Sequence, residues 1–436
     1  MKPSLKSLIL IYVTLIVLLI NLDIFTCKNL EKNLKSFVDD DEITTITTDS
    51  ESELIEALEI LYENGGTIYI DIPVINMNEE HSIILDGDLP GGIIGIRQPN
   101  GEYPRINFLK EGPEDLFNGI IVLSNKFIEY MIIENSVNNG IVIIGDNNIL
   151  DHVISRYNFG SGFVSYGDYN TFNYCYSYRN FDGSIVSVEA DGFQILGEFN
   201  NVLNYCFAWD NANSGFNYAR LFNSSDLSYL HSGSWNNGNI DVFTGKYDYD
   251  NGRPLDKELW TIQEIIRSNP NFVSNYYNKK YSVEDALIGT FLVDSWSTYV
   301  KPRMEGNGFT FGNRNSSQSI DVKRTSFYNV AFDHKSAGFV DNFNHKYNAF
   351  FTDCVSFNNN INYKLTYTFS RWSNNWSWGA RNKDQLNGNV QTKEPNNGLS
   401  AQRSLYSIRD QIIKSVSANM FPDGINFDRV ITSLRE

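Results

Sequence analysis

Apolar residues in this chain come in short bursts, and the bursts recur. "NGIIVL", "NGIVII", "SGFVSY", "DGFQIL", "SGFNYA", "NGFTFG" and "AGFVDN" each set a glycine before a few strand-forming positions. The glycines are Gly119, Gly140, Gly162, Gly192, Gly215, Gly308 and Gly338, and gaps of 21, 22 and 23 residues separate Gly119 from Gly140, Gly140 from Gly162 and Gly192 from Gly215. A second ladder keeps step with the first: "VISRYN", "CYSYRN", "CFAWDN", "SGSWNN", "NVAFDH" and "CVSFNN". Its third slot holds Ser or Ala, its fourth is usually aromatic, and its sixth holds Asn158, Asn180, Asn211, Asn237, His334 and Asn359.

A period of this length, built from short strands, predicts one turn of a parallel β-helix in which equivalent positions stack coil on coil. The fold class is therefore all-β. Asn at a repeated corner can bond along the stack and to the turn backbone. The repeated glycines suit sharp corners that need positive φ. Cys175, Cys206 and Cys354 all fall in the first slot of the second ladder, which marks them as small core side chains.

Helical spacing is confined to a few places. Residues 52–64, "SELIEALEILYEN", predict an amphipathic helix with Ser52 as N-cap, placed to cover the open end of the solenoid. Residues 404–416 predict a late helix that packs outside the coils or near the other end. Residues 241–305 break the repeat; "LDKELWTIQEII" there reads as helix, and "VKPRMEGNGF" returns the chain to the solenoid. Such an excursion either overhangs a groove or is decorative. The resulting organisation is 1–27, a signal peptide or signal-anchor; 28–45, a linker; 46–380, the solenoid; and 381–436, a tail with the late helix. The first segment has Lys2 and Lys6 before the apolar run Leu8–Ile20, shorter than a membrane span. It implies a secreted, extracellular protein, or one anchored to a membrane by an uncleaved segment.

Composition narrows the partners. In 436 residues, 42% hydrophobic and 14% aromatic content supports a continuous core. A net charge of -17 leaves no basic surplus for nucleic acid. The same charge sits poorly with a polyanion unless a cation or a local basic cleft bridges the two. Of the four cysteines, three remain once Cys27 is cleaved away, which leaves one unpaired. Sequons at Asn223, Asn315 and Asn375 would carry glycans in a eukaryotic secretory host.

"YRNFDGSIVSVEADGFQI" with "GEFNNVLNYCFAWDNANSGFNY" resembles the central motif of polysaccharide lyase family 9, and "GNGFTFGN" resembles its later motif. "SELIEALEILYENGGTIYI" resembles the family's N-terminal cap, so the likeness spans about residues 50–365. The resemblance implies a right-handed parallel β-helix, a monomer, and Ca²⁺-dependent β-elimination on pectin or polygalacturonate, the acidic polysaccharide of plant cell walls. In such chemistry a cation on the uronate carboxylate acidifies the C5 proton and a basic side chain removes it. The family's calcium cluster maps onto Asp191 and onto Asn213, Ser214 and Asn217, so one carboxylate stays and three are replaced. The family's lysine base maps onto Thr310, which cannot act as a base near neutral pH without its own activator.

Other readings of these residues stay open. Asp191 is a metal ligand or a coil-corner residue. Arg303 or Arg314 could stand in for the base, or could join Lys301, Lys323 and Arg324 in a solvated basic patch. Glu305 and Asp241 could pair as in a hydrolase, although nothing around them supports a general acid. Two functions follow: a pectin-directed lyase with weak or altered activity, or a carbohydrate-binding or cell-surface β-helix protein that has lost catalysis.

Overall fold

The computed structural model describes residues 43–46, 50–77, 82–108, 118–136, 138–158, 160–180, 190–197, 199–218, 227–238, 306–311, 323–341, 348–366, 369–386, 406–407 and 409–414, with strands at 241–243, 247–248, 253–254 and 300–302. The expected signal segment, most of the linker, the helix expected in the 241–305 insertion, and Arg303, Arg314 and Glu305 lie outside them.

Among the described residues, three parallel sheets wind around one axis. Sheet A has 11 strands, from Ile43–Ile46 to Phe369–Ser373. Sheet B has 10, from Val74–Met77 to Trp376–Trp378, and sheet C has 10, from Ile83–Leu85 to Gln385–Leu386. Each coil passes from A to B to C, giving a right-handed parallel β-helix. The insertion leaves it through an antiparallel ribbon that pairs Asp241–Phe243 with Val300–Pro302. Asp241 therefore sits on this ribbon and not on a solenoid strand.

The helix α1, Glu51–Asn64, buries Leu54, Ala57 and Leu61 in the same core cluster as Ile68, Ile70 and Ile75. Its N-cap is Ser50, whose Oγ accepts the Glu53 N–H at 3.2 Å. The expected cap, Ser52, lies two residues further on, within the first turn, because Ser50 is the last residue with extended backbone. Late in the chain, residues 406–407 and 409–414 are helical. This segment packs outside the coils: Arg409 pairs with Asp333 at 3.1 Å and the Tyr406 hydroxyl meets Asn358.

The corner between sheets B and C explains the second ladder. Asn158 donates its backbone N–H (3.2 Å) and its Nδ2 (2.9 Å) to Asn180 Oδ1 one coil on. Asn180 does the same to Asn211, and Asn211 to Asn237. Third-slot serines face inward, and Ser155 and Ser177 donate to the carbonyls of Gly162 and Gly192. That contact is the reason for the repeated glycine. A Cβ on Gly215 would lie 2.0 Å from Ser234 Oγ and 2.8 Å from Asn237 Nδ2. None of the repeated glycines has positive φ. The expectation of a positive-φ corner is thus corrected: the glycines admit a close approach. Positive φ falls instead on the fifth slot, at Tyr157, Arg179, Asp210, Asn236, Asp333 and Asn358. It also falls on the stacked outer row Tyr130, His152, Tyr174, Tyr205, His231 and Tyr328, with neighbouring centroids 4.7–5.3 Å apart.

Buried polar residues complete the picture. Cys175, Cys206 and Cys354 are free and buried in the slot also held by Ser232 and Asn329. Burial pushes the Cys354 thiol up to about 12, so it stays protonated. Asn375 lies within the stack, where it donates to Phe351 O and accepts the Cys354 N–H, so this sequon is no surface acceptor. Arg324 is also fully buried, on sheet A, which removes it from the expected solvated patch. Lys126 is buried as well, and its Nζ donates to Gly87 O and Leu89 O.

His334 takes the asparagine slot on the first coil after the insertion. Its Nδ1 accepts the Asn237 N–H and its Nε2 faces Ser234 O at 3.0 Å. A backbone N–H can only donate and a carbonyl only accept, so the ring is neutral with its proton on Nε2. Burial lowers its pKa to about 3, against 6.5 for an exposed histidine. Below pH 6.5 the unfolded chain takes up a proton that the folded chain refuses, so stability falls as pH drops from 6.5 to 3. His334→Asn is expected to flatten this slope by up to about 1.4 kcal/mol per pH unit, read from urea midpoints across that range.

Candidate functional site

Sheet C carries the motif residues because of its inward ring stack. Phe163, Phe193, Phe216, Phe309, Phe339 and Tyr363 stack with centroids 4.6–5.0 Å apart and planes within 10°. Alternation along each strand then turns the next residue outward. The outer row runs Val164, Gln194, Asn217, Thr310 and Val340 on neighbouring strands. Thr310 therefore stands beside Asn217, between Phe309 and Phe311, which both point into the core.

Asp191 precedes Gly192 in a slot with a structural job of its own. In that slot Asn139 Oδ1 accepts the Ser161 N–H, Ser161 Oγ accepts the Asp191 N–H, and Asp191 Oδ1 accepts the Ser214 N–H at 2.9 Å. Two more donors meet the carboxylate: Asn213 Nδ2 at 2.8 Å on Oδ1 and Asn217 Nδ2 at 2.7 Å on Oδ2. All four residues are buried. An amide oxygen turned toward the carboxylate at these distances would repel it, so both asparagines present their NH₂ groups.

Calcium asks for six to eight oxygen ligands, several of them anionic. Here both oxygens of the one carboxylate are engaged by N–H donors. Among the described residues no three His, Cys, Asp or Glu side chains gather into a metal-sized cluster. One carboxylate already held by N–H donors does not fit a calcium cage; Asp191, Asn213, Ser214 and Asn217 form a hydrogen-bond cluster around a buried charge.

Thr310 offers no base either. It is fully buried, and among the described residues its Oγ1 has no hydrogen-bond partner. A buried hydroxyl without a partner costs about 1–3 kcal/mol. Sequence reasoning placed the four cluster residues and Thr310 at corresponding motif positions, and the structure brings them onto adjacent coils. It did not single out Gln194, which stands between Val164 and Asn217 and lies within the quoted motif itself. The alternation of "GFQI" with the stacked phenylalanines was the signal for it.

Known structures share the architecture. The chain is similar to the crystal structure of pectate lyase Pel9A, with a TM-score of 0.52, 17% identity, and coverage of 83% of this chain and 82% of that one. It is similar to a rhamnogalacturonan lyase with a TM-score of 0.52, 14% identity, and coverage of 82% and 88%. No family model matches the sequence, and no curated protein matches it. The fold is the pectate-lyase-like parallel β-helix.

Two substitutions test the cluster. Thr310→Val keeps the shape and removes the unmet hydroxyl, so stability should hold or rise by up to about 1 kcal/mol in urea unfolding. Asp191→Ala leaves three buried donors facing a void and should cost about 3 kcal/mol or more. A loss below about 1 kcal/mol would mean that the cluster holds nothing together.

Proposed function

We propose that this protein is a glycan-binding β-helix protein on a polysaccharide-lyase scaffold whose β-elimination machinery has been replaced. The carrying observation is the Asp191 carboxylate, which meets three N–H donors where the lyase resemblance expects a calcium ion. The buried Thr310 hydroxyl in the slot of the base supports the same reading. Both neighbours named above are lyases of polysaccharides, which supports a glycan as partner. In this reading the protein acts outside the cell, released or held at the surface by its N-terminal apolar segment.

Purified protein on polygalacturonate, with and without Ca²⁺, is expected to give no unsaturated product at high loading. Absorbance of the C4–C5 double bond is the readout, and calcium-dependent growth of that signal would overturn the loss of catalysis. The triple variant Asn213→Asp, Ser214→Asp, Asn217→Asp tests the ancestry of the cluster without relying on activity. It crowds four carboxylates, so it should melt below the wild type in EDTA and recover on adding Ca²⁺. The wild-type melting temperature should ignore both additions.

A further inference from the structure

One strip of the surface is built against the expectation of an acidic substrate. After each sheet C strand the chain turns toward sheet A, and the first residue of that turn continues the outward alternation. Ile144 and Tyr166 hold this position on adjacent coils, beside Val142 and Val164, and are 54% and 51% exposed. Tyr169, 45% exposed, follows Tyr166 in the same turn, and it stacks at 6.4 Å on Phe199, 40% exposed, in the turn of the next coil. Tyr169 does so at φ 58°, in the slot that Asn147 and Asn200 hold on the neighbouring coils.

The charge beside these rings has one sign. Asp146 Oδ1 accepts the Asp168 N–H, and Asp168 Oδ1 accepts the Phe199 N–H, so both carboxylates are fixed along the strip. Segments 118–125, 143–149, 165–171 and 195–201 contain no lysine or arginine. A polyuronate laid here would set its carboxylates against Asp146 and Asp168, and these segments bring no lysine or arginine to offset them. A neutral sugar chain meets no such repulsion: its hydroxyls donate to the aspartates and its apolar ring faces lie on the aromatics. Successive coils rise by about 4.8 Å, a spacing that suits one sugar ring per coil.

We propose that the strip Ile144, Tyr166, Tyr169 and Phe199, flanked by Asp146 and Asp168, is a binding platform for an extended neutral glycan running parallel to the solenoid axis. It borders the outer row that carries Asn217 and Thr310, and it rests on the glycan-binding reading above while replacing the acidic substrate class by a neutral one.

Affinity electrophoresis of the full chain tests it, in gels cast with galactan, xyloglucan, hydroxyethylcellulose or polygalacturonate. Retardation by at least one neutral glycan is expected. Tyr166→Ala with Phe199→Ala should weaken it by about tenfold or more with an unchanged melting temperature. Tyr166→Trp, which keeps a ring, should preserve it, and Asp146→Lys should add retardation by polygalacturonate. Neutral-glycan binding that ignores the ring substitutions would place the site elsewhere and sink the platform, while the glycan-binding function would stand. Retardation by polygalacturonate alone would overturn the neutral class. No retardation in any gel would remove the platform and the glycan-binding function together.

Discussion

The solenoid depends on a hydrogen bond that crosses from coil to coil at the corner between sheets B and C. A buried corner leaves backbone N–H groups that strand pairing cannot reach. In this chain a side-chain oxygen of the adjacent coil accepts them, at Asn180, Asn211, Asn237 and Asn359 in turn. Because that oxygen must sit at one depth, each coil must follow the last in register. The register then brings the third-slot serine against the opposite strand, and only glycine leaves room for it. The phenylalanine stack follows, since each ring is carried by the residue after that glycine.

The same logic governs the motif residues. The slot before each glycine passes N–H groups to side-chain oxygens along the stack, and Asp191 is one member of that series. An aspartate here therefore has a structural use whether or not a metal is ever bound. The asparagines around it satisfy its charge with amide hydrogens, which a pair of aspartates at those positions could not do without a cation. A lyase frame and a stable coil corner are thus two uses of one geometry, and this sequence satisfies the second.

What could be read from the sequence was whatever stacking makes periodic. The two ladders, the cysteine slot and the corner asparagines show up because equivalent residues meet the same environment on every coil. Signs of backbone angles leave no such trace. Tyr157, Arg179 and Asp210 adopt positive φ in one slot although they share no side-chain chemistry, so the strain was assigned to the glycines instead. Burial of charge was equally hidden: Lys126 and Arg324 look like surface residues until the fold places them inside. The N-cap moved from Ser52 to Ser50 because two serines flank one glutamate and only backbone geometry chooses between them. The fate of Asp191 turned on which end of each asparagine amide faces it, a matter of orientation and not of residue type.

The insertion leaves the ladder uninterrupted, and this has a cost in chain entropy. Asn158 reaches Asn180 across 22 residues, whereas Asn237 reaches His334 across 97. Closing the longer loop costs roughly 1.3 kcal/mol more than the shorter one, from the logarithmic dependence on loop length. The bonds made on either side are otherwise of the same kind. The joint between the coils of Trp235 and Phe332 therefore carries a larger loop-closure cost than the joint between the coils of Arg156 and Tyr178, although its strands pair in the same parallel register.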